Sequence, residues 1–278
     1  DPPANRAQWR HSDAEYLSMI AECQGAIAAG EAYQLCLTTE ARVDGIYDPV
    51  ARYRALRAAS PSHHGGLVRV GDVALLSSSP EVFLSIGTDR SVRSSPIKGT
   101  RARGVTAEDD ARLRAELLAS DKERAENLMI VDLMRNDIGR VSEIGSVEVT
   151  SLLAVESYAQ VHQLVSTVRG RLRPDLDPLD AVVACFPAGS MTGAPKRNAT
   201  LILDGLERSA RGIYAGAFGY FGLDGRVELA MVIRSIVIDP LGATVGAGGG
   251  ITALSSPEEE LAEVQLKARA LLRVLGAE

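Results

Sequence analysis

The sequence is poor in aromatics and in cysteine. Four Phe and one Trp in 278 residues offer no base-stacking platform, and a net charge of −6 offers no basic face. Nucleic-acid binding is therefore not expected. The three cysteines, Cys23, Cys36 and Cys185, show no CxxC spacing. They read as reduced, structural thiols of a cytoplasmic protein. No apolar run is long enough to span a membrane, and DPPANRAQWRHSDAE at the start lacks the basic and apolar regions of a signal peptide. The usual short motifs are missing too: no GxGxxG after a strand, no Gly-x-Ser-x-Gly, no Cys/His nucleophile pairing. PAGSMTGAPK lacks the spacing of a P-loop.

What is present is ordinary globular material, 46% hydrophobic and 24% charged, enough for one large or two small domains. Ser12-x-x-Glu15 is a capping box before a helix that Gly30 stops. AYQLCLTTEARV (32–43) alternates like a strand, and Asp48-Pro49 opens a short helix to Ala59. GLVRV, VALLSS, VFLSI and SVRSS read as an antiparallel meander. Thr106 to Ala119 is helical, and a second box, Ser120-x-x-Glu123, restarts a helix. SVEV and HQLVSTVRGRL are strands. Leu179–Cys185 and 194–206 read as helices. IYAGAFGYFGLDGRVELAMVIRSIVID reads as one hairpin turned at Asp224-Gly225. A strand enters VGAGGGI, and Ser256-Pro257 starts the last helix. Antiparallel strand groups with interspersed helices predict an α+β fold.

Several residues could carry chemistry. Lys98 sits in RSSPIKGTRARG between Pro96-Ile97 and Gly99-Thr100. Proline stiffens the backbone and glycine lets another group approach it closely, a frame suited to an amine that must reach a fixed point. Glu123 and Glu126 share one face at a helix start, as do Glu260 and Glu263, with Lys267 four residues on. Acids favour helix N-termini in any case. If the two pairs met, four carboxylates without thiol or imidazole would suit Mg²⁺. Glu81, after a proline and before an apolar strand, is either a solvated edge acid or a buried one able to donate a proton. His162 is either a satisfied core histidine or a functional one. Arg234 interrupts an apolar strand and needs an anionic partner, such as a ligand carboxylate, with Tyr214 expected on the paired strand. GAGGGI (246–251) offers bare N–H groups as an anion cradle, or is only a tight bend.

In this order, SPE (79–81), PIKGTR (96–101), DKERAENLMIVDLMRNDIGRV (121–141), VHQLVSTV (161–168), FPAGSMTGAPK (186–196), AGAFGYFG (215–222) and GAGGGITALSSPEEELAE (246–263) resemble the chorismate-utilising enzymes. That family includes anthranilate, aminodeoxychorismate, isochorismate and salicylate synthases. The resemblance covers the chain from about residue 12. It implies two antiparallel sheets packed together with flanking helices, as a single chorismate-binding catalytic domain over 1–278. Longer relatives carry an N-terminal region with no counterpart in these residues. Within the family, PIKGTR and Asn127 resemble the aminodeoxychorismate branch, since anthranilate synthases typically read PIAGTR and carry histidine at the place of Asn127. Gln34 stands where the hydroxylating branches carry a water-activating lysine.

The resemblance further implies roles. Lys98 would attack C2 of chorismate, Glu81 would protonate the departing C4 hydroxyl, and ammonia would then displace the lysine by attack at C4. Such a lysine has to be neutral, so its neighbours should desolvate it. Glu126 and Glu263 would ligate Mg²⁺, with Glu123 and Glu260 in support. Tyr214 and Arg234 would grip the enolpyruvyl carboxylate. Gly249 and Gly250 would offer N–H groups, Lys267 positive charge, and Thr100 and His162 would line the ring. No glutaminase nucleophile is visible, so ammonia would come free or from a separate glutamine amidotransferase subunit. The expected product serves para-aminobenzoate and folate synthesis. Competing expectations are an anthranilate or aminodeoxyisochorismate synthase, or a non-catalytic chorismate-binding homologue.

Overall fold

The computed structural model describes residues 6–158 and 161–277. Its elements are, in order, β1 (Gln8–Trp9), α1 (Asp13–Ala28), β2 (Gln34–Asp44), α2 (Pro49–Ala59), β3 (His64–Val70), β4 (Val73–Ser79), β5 (Val82–Ile86), β6 (Ser91–Ser94), β7 (Ile97–Ala102), α3 (Ala107–Ala119), α4 (Asp121–Gly139), β8 (Glu148–Ser157), β9 (Val161–Arg171), α5 (Pro178–Cys185), β10 (Gly193–Ala194), α6 (Lys196–Glu207), β11 (Ala217–Phe221), β12 (Val227–Met231), β13 (Ser235–Asp239), β14 (Gly242–Ile251) and α7 (Pro257–Leu275). The strands make two seven-stranded antiparallel sheets, so the fold is α+β. The chain clusters into two compact units, one of Asp1–Pro80, Met191–Gly219 and Ala230–Glu278, the other of Glu81–Ser190 and Tyr220–Leu229.

Helix starts follow local chemistry. Ser12 and Glu15 cap α1 reciprocally. Asp48 accepts the N–H groups of Val50 and Ala51 ahead of Pro49. Thr106 caps α3 through Asp109 N–H, and Ser120 caps α4 through Glu123 N–H. Each cap satisfies a donor that the helix itself leaves open.

The first unit holds the sheet ordered β1-β2-β14-β13-β4-β3, with β10 also on β2. Strand alternation sends Leu35, Leu37, Ala41 and Val43 of β2, and Val245, Ala247 and Ile251 of β14, into one apolar core. Tyr16, Ile20, Leu56, Leu203, Val264, Ala268 and Leu271, from α1, α2, α6 and α7, complete that core. The opposite face carries the even-numbered residues of β2. The outer edge of β2 has a gap: β10 pairs with Gln34 and Leu35, and β1 with Ala41 and Arg42. Side chains fill it. Glu207 Oε1 accepts the Thr38 N–H at 2.9 Å, Arg211 donates to Cys36 O at 2.9 Å and to Met191 O at 2.5 Å, and the two side chains pair at 2.6 Å.

The second unit centres on β9. Its second half pairs with β6 and its first half with β7, while β8 lies along its other side. The β7–β9 register shifts between Ile97 and Thr100. Two residues, Lys98 and Gly99, therefore stand opposite the single Leu164, which is a β-bulge. Helix α4 buries Ile130, Val131, Met134 and Ile138, and Val92, Leu164, Val165 and Val168 of the sheet are buried too.

Four sequence expectations need correction. The expected meander is split, because β3 and β4 belong to one sheet and β5 and β6 to the other, with the change at Pro80, which has no N–H for a ladder. The expected long strand through Arg234 is two strands, since Arg234 adopts φ +47 between β12 and β13. Tyr214 precedes β11 in a turn rather than lying on a strand. SVEV is only the beginning of β8, which runs on to Ser157.

Candidate active site

In the second unit the bulge controls the presentation of Lys98. Gly99 sits at φ +82, where a side chain is strained, and a Cβ there would come within 2.8 Å of Leu117 and 3.0 Å of Glu123. The glycine thus admits Glu123 to the backbone beside Lys98. Glu123 also pairs with Arg101 at 3.5 Å. Three residues on, along the same face of α4, Glu126 is buried.

Glu81, immediately before β5, is buried at 8% exposure. Burial raises its pKa, against the opposing pull of the Lys98 charge and a hydrogen bond with Ser190. A buried carboxyl whose pKa is raised is better suited to donate a proton than a solvated one. The sequence reading did not single out Ser190. It lies in a 3₁₀ turn, Gly189–Met191, within the FPAGSMTGAPK stretch.

His162 is differently placed. Its Nδ1 is 2.8 Å from Ser157 Oγ and its Nε2 is 2.9 Å from Asp110 Oδ1. Asp110 is itself held well below the usual carboxylate range, first by Arg103. Both ring nitrogens are therefore committed to protein groups. Thr100 is exposed and stands opposite Gln163 in the β7–β9 ladder.

In the first unit, β14 meets the start of α7. Glu260 is buried, accepts from Ser255 Oγ at 2.7 Å, and presents Oε2 3.1 Å from where a Gly249 Cβ would stand. Lys267 bridges Glu263 at 2.7 Å and Gly248 O at 2.9 Å. The Gly248 carbonyl thus points away from β2, and ladder alternation turns the backbone groups of Gly250 the same way. Gly249 stands opposite Leu37 in the ladder with β2.

Further along this face the Tyr214 ring lies so close over Gly246 that no Cβ fits. Burial pushes the Tyr214 phenol pKa up. A recess of about 220 Å³ opens beside these two residues. Arg234 is exposed, not buried as its apolar flanks suggested; its pKa is nevertheless lowered by desolvation, and it has no side-chain hydrogen bond or ion pair among the described residues. An accessible guanidinium with no protein partner is available to an anion from a ligand. Gln34 is buried with its Oε1 unpaired among the described residues.

Each unit thus brings part of the expected set together: Lys98, Glu81, Glu123 and Glu126 in one, Gly249, Glu260, Glu263 and Lys267 in the other. Among the described residues no three His, Cys, Asp or Glu side chains form a metal cluster on their own. Two-carboxylate helix starts suit a hard cation that keeps waters and takes oxygens from its substrate.

The family profile described as chorismate binding enzyme matches residues 1–273. An aminodeoxychorismate synthase of Streptomyces pristinaespiralis is 50% identical over 273 residues, 98% of this chain and 38% of that protein. The chloroplastic aminodeoxychorismate synthase of Arabidopsis thaliana is 48% identical over 92% of this chain and 28% of its own length. The chain therefore spans well under half the length of these curated relatives. The crystal structure of anthranilate synthase component I from Streptococcus pneumoniae TIGR4 superposes with a TM-score of 0.88 at 36% identity, covering 98% of this chain and 60% of that one.

Proposed function

This chain belongs to the family of chorismate binding enzymes, and on that footing we propose that it aminates chorismate at C4 to give 4-amino-4-deoxychorismate. The observation that carries the reading is Lys98 in a β-bulge, within electrostatic reach of a buried Glu81 whose pKa burial raises.

In the proposed first step the Lys98 amine forms a bond to C2, both conjugated ring double bonds shift by one position, and the C4 hydroxyl leaves as water with the Glu81 proton. Ammonia then forms a bond to C4, both double bonds shift back, and the C2–N bond to Lys98 breaks. The net change is chorismate plus ammonia to 4-amino-4-deoxychorismate plus water. Lys98 supplies a positioned nucleophile, which removes part of the entropy of attack. Glu81 supplies the acid, and Arg234 with Tyr214 would hold a carboxylate of the substrate. Mg²⁺ is the proposed cofactor, and the carboxylates of Glu126 and Glu263, supported by those of Glu123 and Glu260, would be its ligands. When bound it would neutralise and orient the second substrate carboxylate. The ammonia would be supplied by a glutamine amidotransferase.

The test is to incubate the protein with chorismate, Mg²⁺ and ammonium and identify the product by mass. 4-Amino-4-deoxychorismate is expected, and its formation should cease in excess chelator. Fluorescent anthranilate as the product would move the chain to the neighbouring branch. Lys98→Ala should abolish product at C4 and remove a ring-derived mass from the Lys98 peptide. An alanine variant working at the wild-type rate would sink the covalent route.

A further inference from the structure

The bulge that carries Lys98 has to be held by something other than a regular ladder. Opposite Lys98 and Gly99, β9 offers only Leu164. The Leu164 carbonyl accepts a hydrogen bond from Asn127 Nδ2 at 3.4 Å. Asn127 Oδ1 in turn accepts from Ser166 Oγ at 2.5 Å. The same Ser166 Oγ accepts the Leu153 N–H at 2.9 Å, where β8 is itself irregular and Leu153 has φ +54. Finally, Ser166 N donates to Pro96 O at 3.2 Å, two residues before Lys98.

Asn127 and Ser166 are wholly buried. The pair meets two backbone groups at the irregular places of β8 and β9, the Leu153 N–H and the Leu164 carbonyl, so its buried polar atoms are tied to the geometry of both strands. The geometry concerned is specific. Ser166 brackets the bulge from the Pro96 side, and Asn127 occupies the Leu164 carbonyl opposite the two bulged residues. Asn127 also follows Glu126 directly on α4, the helix whose first turn lays Glu123 against Gly99. One buried node thereby ties α4 to β7 at the level of Lys98.

We propose that Asn127, through Ser166 and the Leu164 carbonyl, is the positioning residue that fixes the Lys98–Gly99 bulge against α4. It acts through Lys98 and does not itself meet the substrate, so its effect on turnover rests on the reading of Lys98 as nucleophile. Its effect on the bulge does not.

The experiment compares wild type with Asn127→Leu, which is close in volume, and with Asn127→Asp, which keeps an acceptor for Ser166. Ser166→Ala is the milder second variant should Asn127→Leu not fold. Two quantities are read: amide hydrogen exchange over residues 97–100, and the single-turnover rate of adduct formation on the Lys98 peptide at saturating chorismate and Mg²⁺. Asn127→Leu should speed exchange at the bulge and slow adduct formation about a hundredfold, the cost of displacement by about an ångström. Chorismate affinity should stay within about threefold, since only the attack is misaligned. Asn127→Asp should recover part of the rate. Unchanged exchange and an unchanged rate in Asn127→Leu, with only a lower melting temperature, would make the node a packing feature and overturn the inference. A wild type that forms no adduct would instead overturn the role of Lys98, and exchange at the bulge would then decide the positioning role alone.

Discussion

Glu81 illustrates how one residue can be costly for stability and useful for chemistry. Its pKa lies above the ordinary value of 4.5, with burial as the largest cause. The folded state therefore binds this proton more tightly than the unfolded chain. Its contribution to stability is complete below the unfolded pKa and is lost as pH rises through the folded one. Glu81→Gln has no proton to lose. The variant should gain melting temperature relative to wild type as pH is raised from about 4 to 8, while kcat falls by about 10²–10⁴-fold, the usual worth of a general acid. Parallel thermal melts and initial rates across that range would check it, and a stability difference that does not change with pH would contradict the buried-acid assignment. His162 makes a complementary point. Its partner Asp110 lies 52 positions away in sequence, so no local pattern could show that its ring is already spoken for.

At the scale of elements, what was legible in the sequence was what local chemistry decides. The caps at Ser12, Asp48, Thr106 and Ser120, the proline at the start of α7 and the turn at Asp224-Gly225 each involve residues a few positions apart. The frame around Lys98 was legible for the same reason, since proline and glycine constrain their own backbone. Which sheet a strand joins was not, because β4 and β5 carry similar apolar patterns yet part company at Pro80. The break at Arg234 was hidden by the apolar residues on both sides of it. The bulge in β7 lends itself to a direct test. Gly99→Ala meets both a left-handed φ and the Leu117 and Glu123 side chains. It should cost about 1–3 kcal/mol in denaturant unfolding. Turnover should fall more steeply than that loss of stability implies, because Lys98 is the neighbouring residue. An alanine variant with wild-type stability and rate would show that the bulge does not serve Lys98.

At the scale of the whole molecule, the seven sequence stretches that resemble the family fall in both units, and each unit assembles its own share of them. No described helix is long and apolar enough to cross a membrane. With a glutamine amidotransferase as the proposed ammonia source, the isolated chain should use ammonium at alkaline pH and remain inert with glutamine alone. Product formation from glutamine with no second protein, followed by mass spectrometry, would refute that division of labour. The side chains of Glu207 and Arg211 have a further consequence, for how copies of the molecule behave together. An unpaired stretch at the rim of a sheet is a template for a strand from another chain, and natural proteins blunt such rims. Here the stretch between β10 and β1 is stoppered by an ion pair that occupies the Thr38 N–H and the Cys36 carbonyl. Replacing both residues by alanine would bare those groups to solvent. The cost would then appear as concentration-dependent self-association and turbidity as much as in the melting temperature, which makes this buried pair a guard of colloidal behaviour.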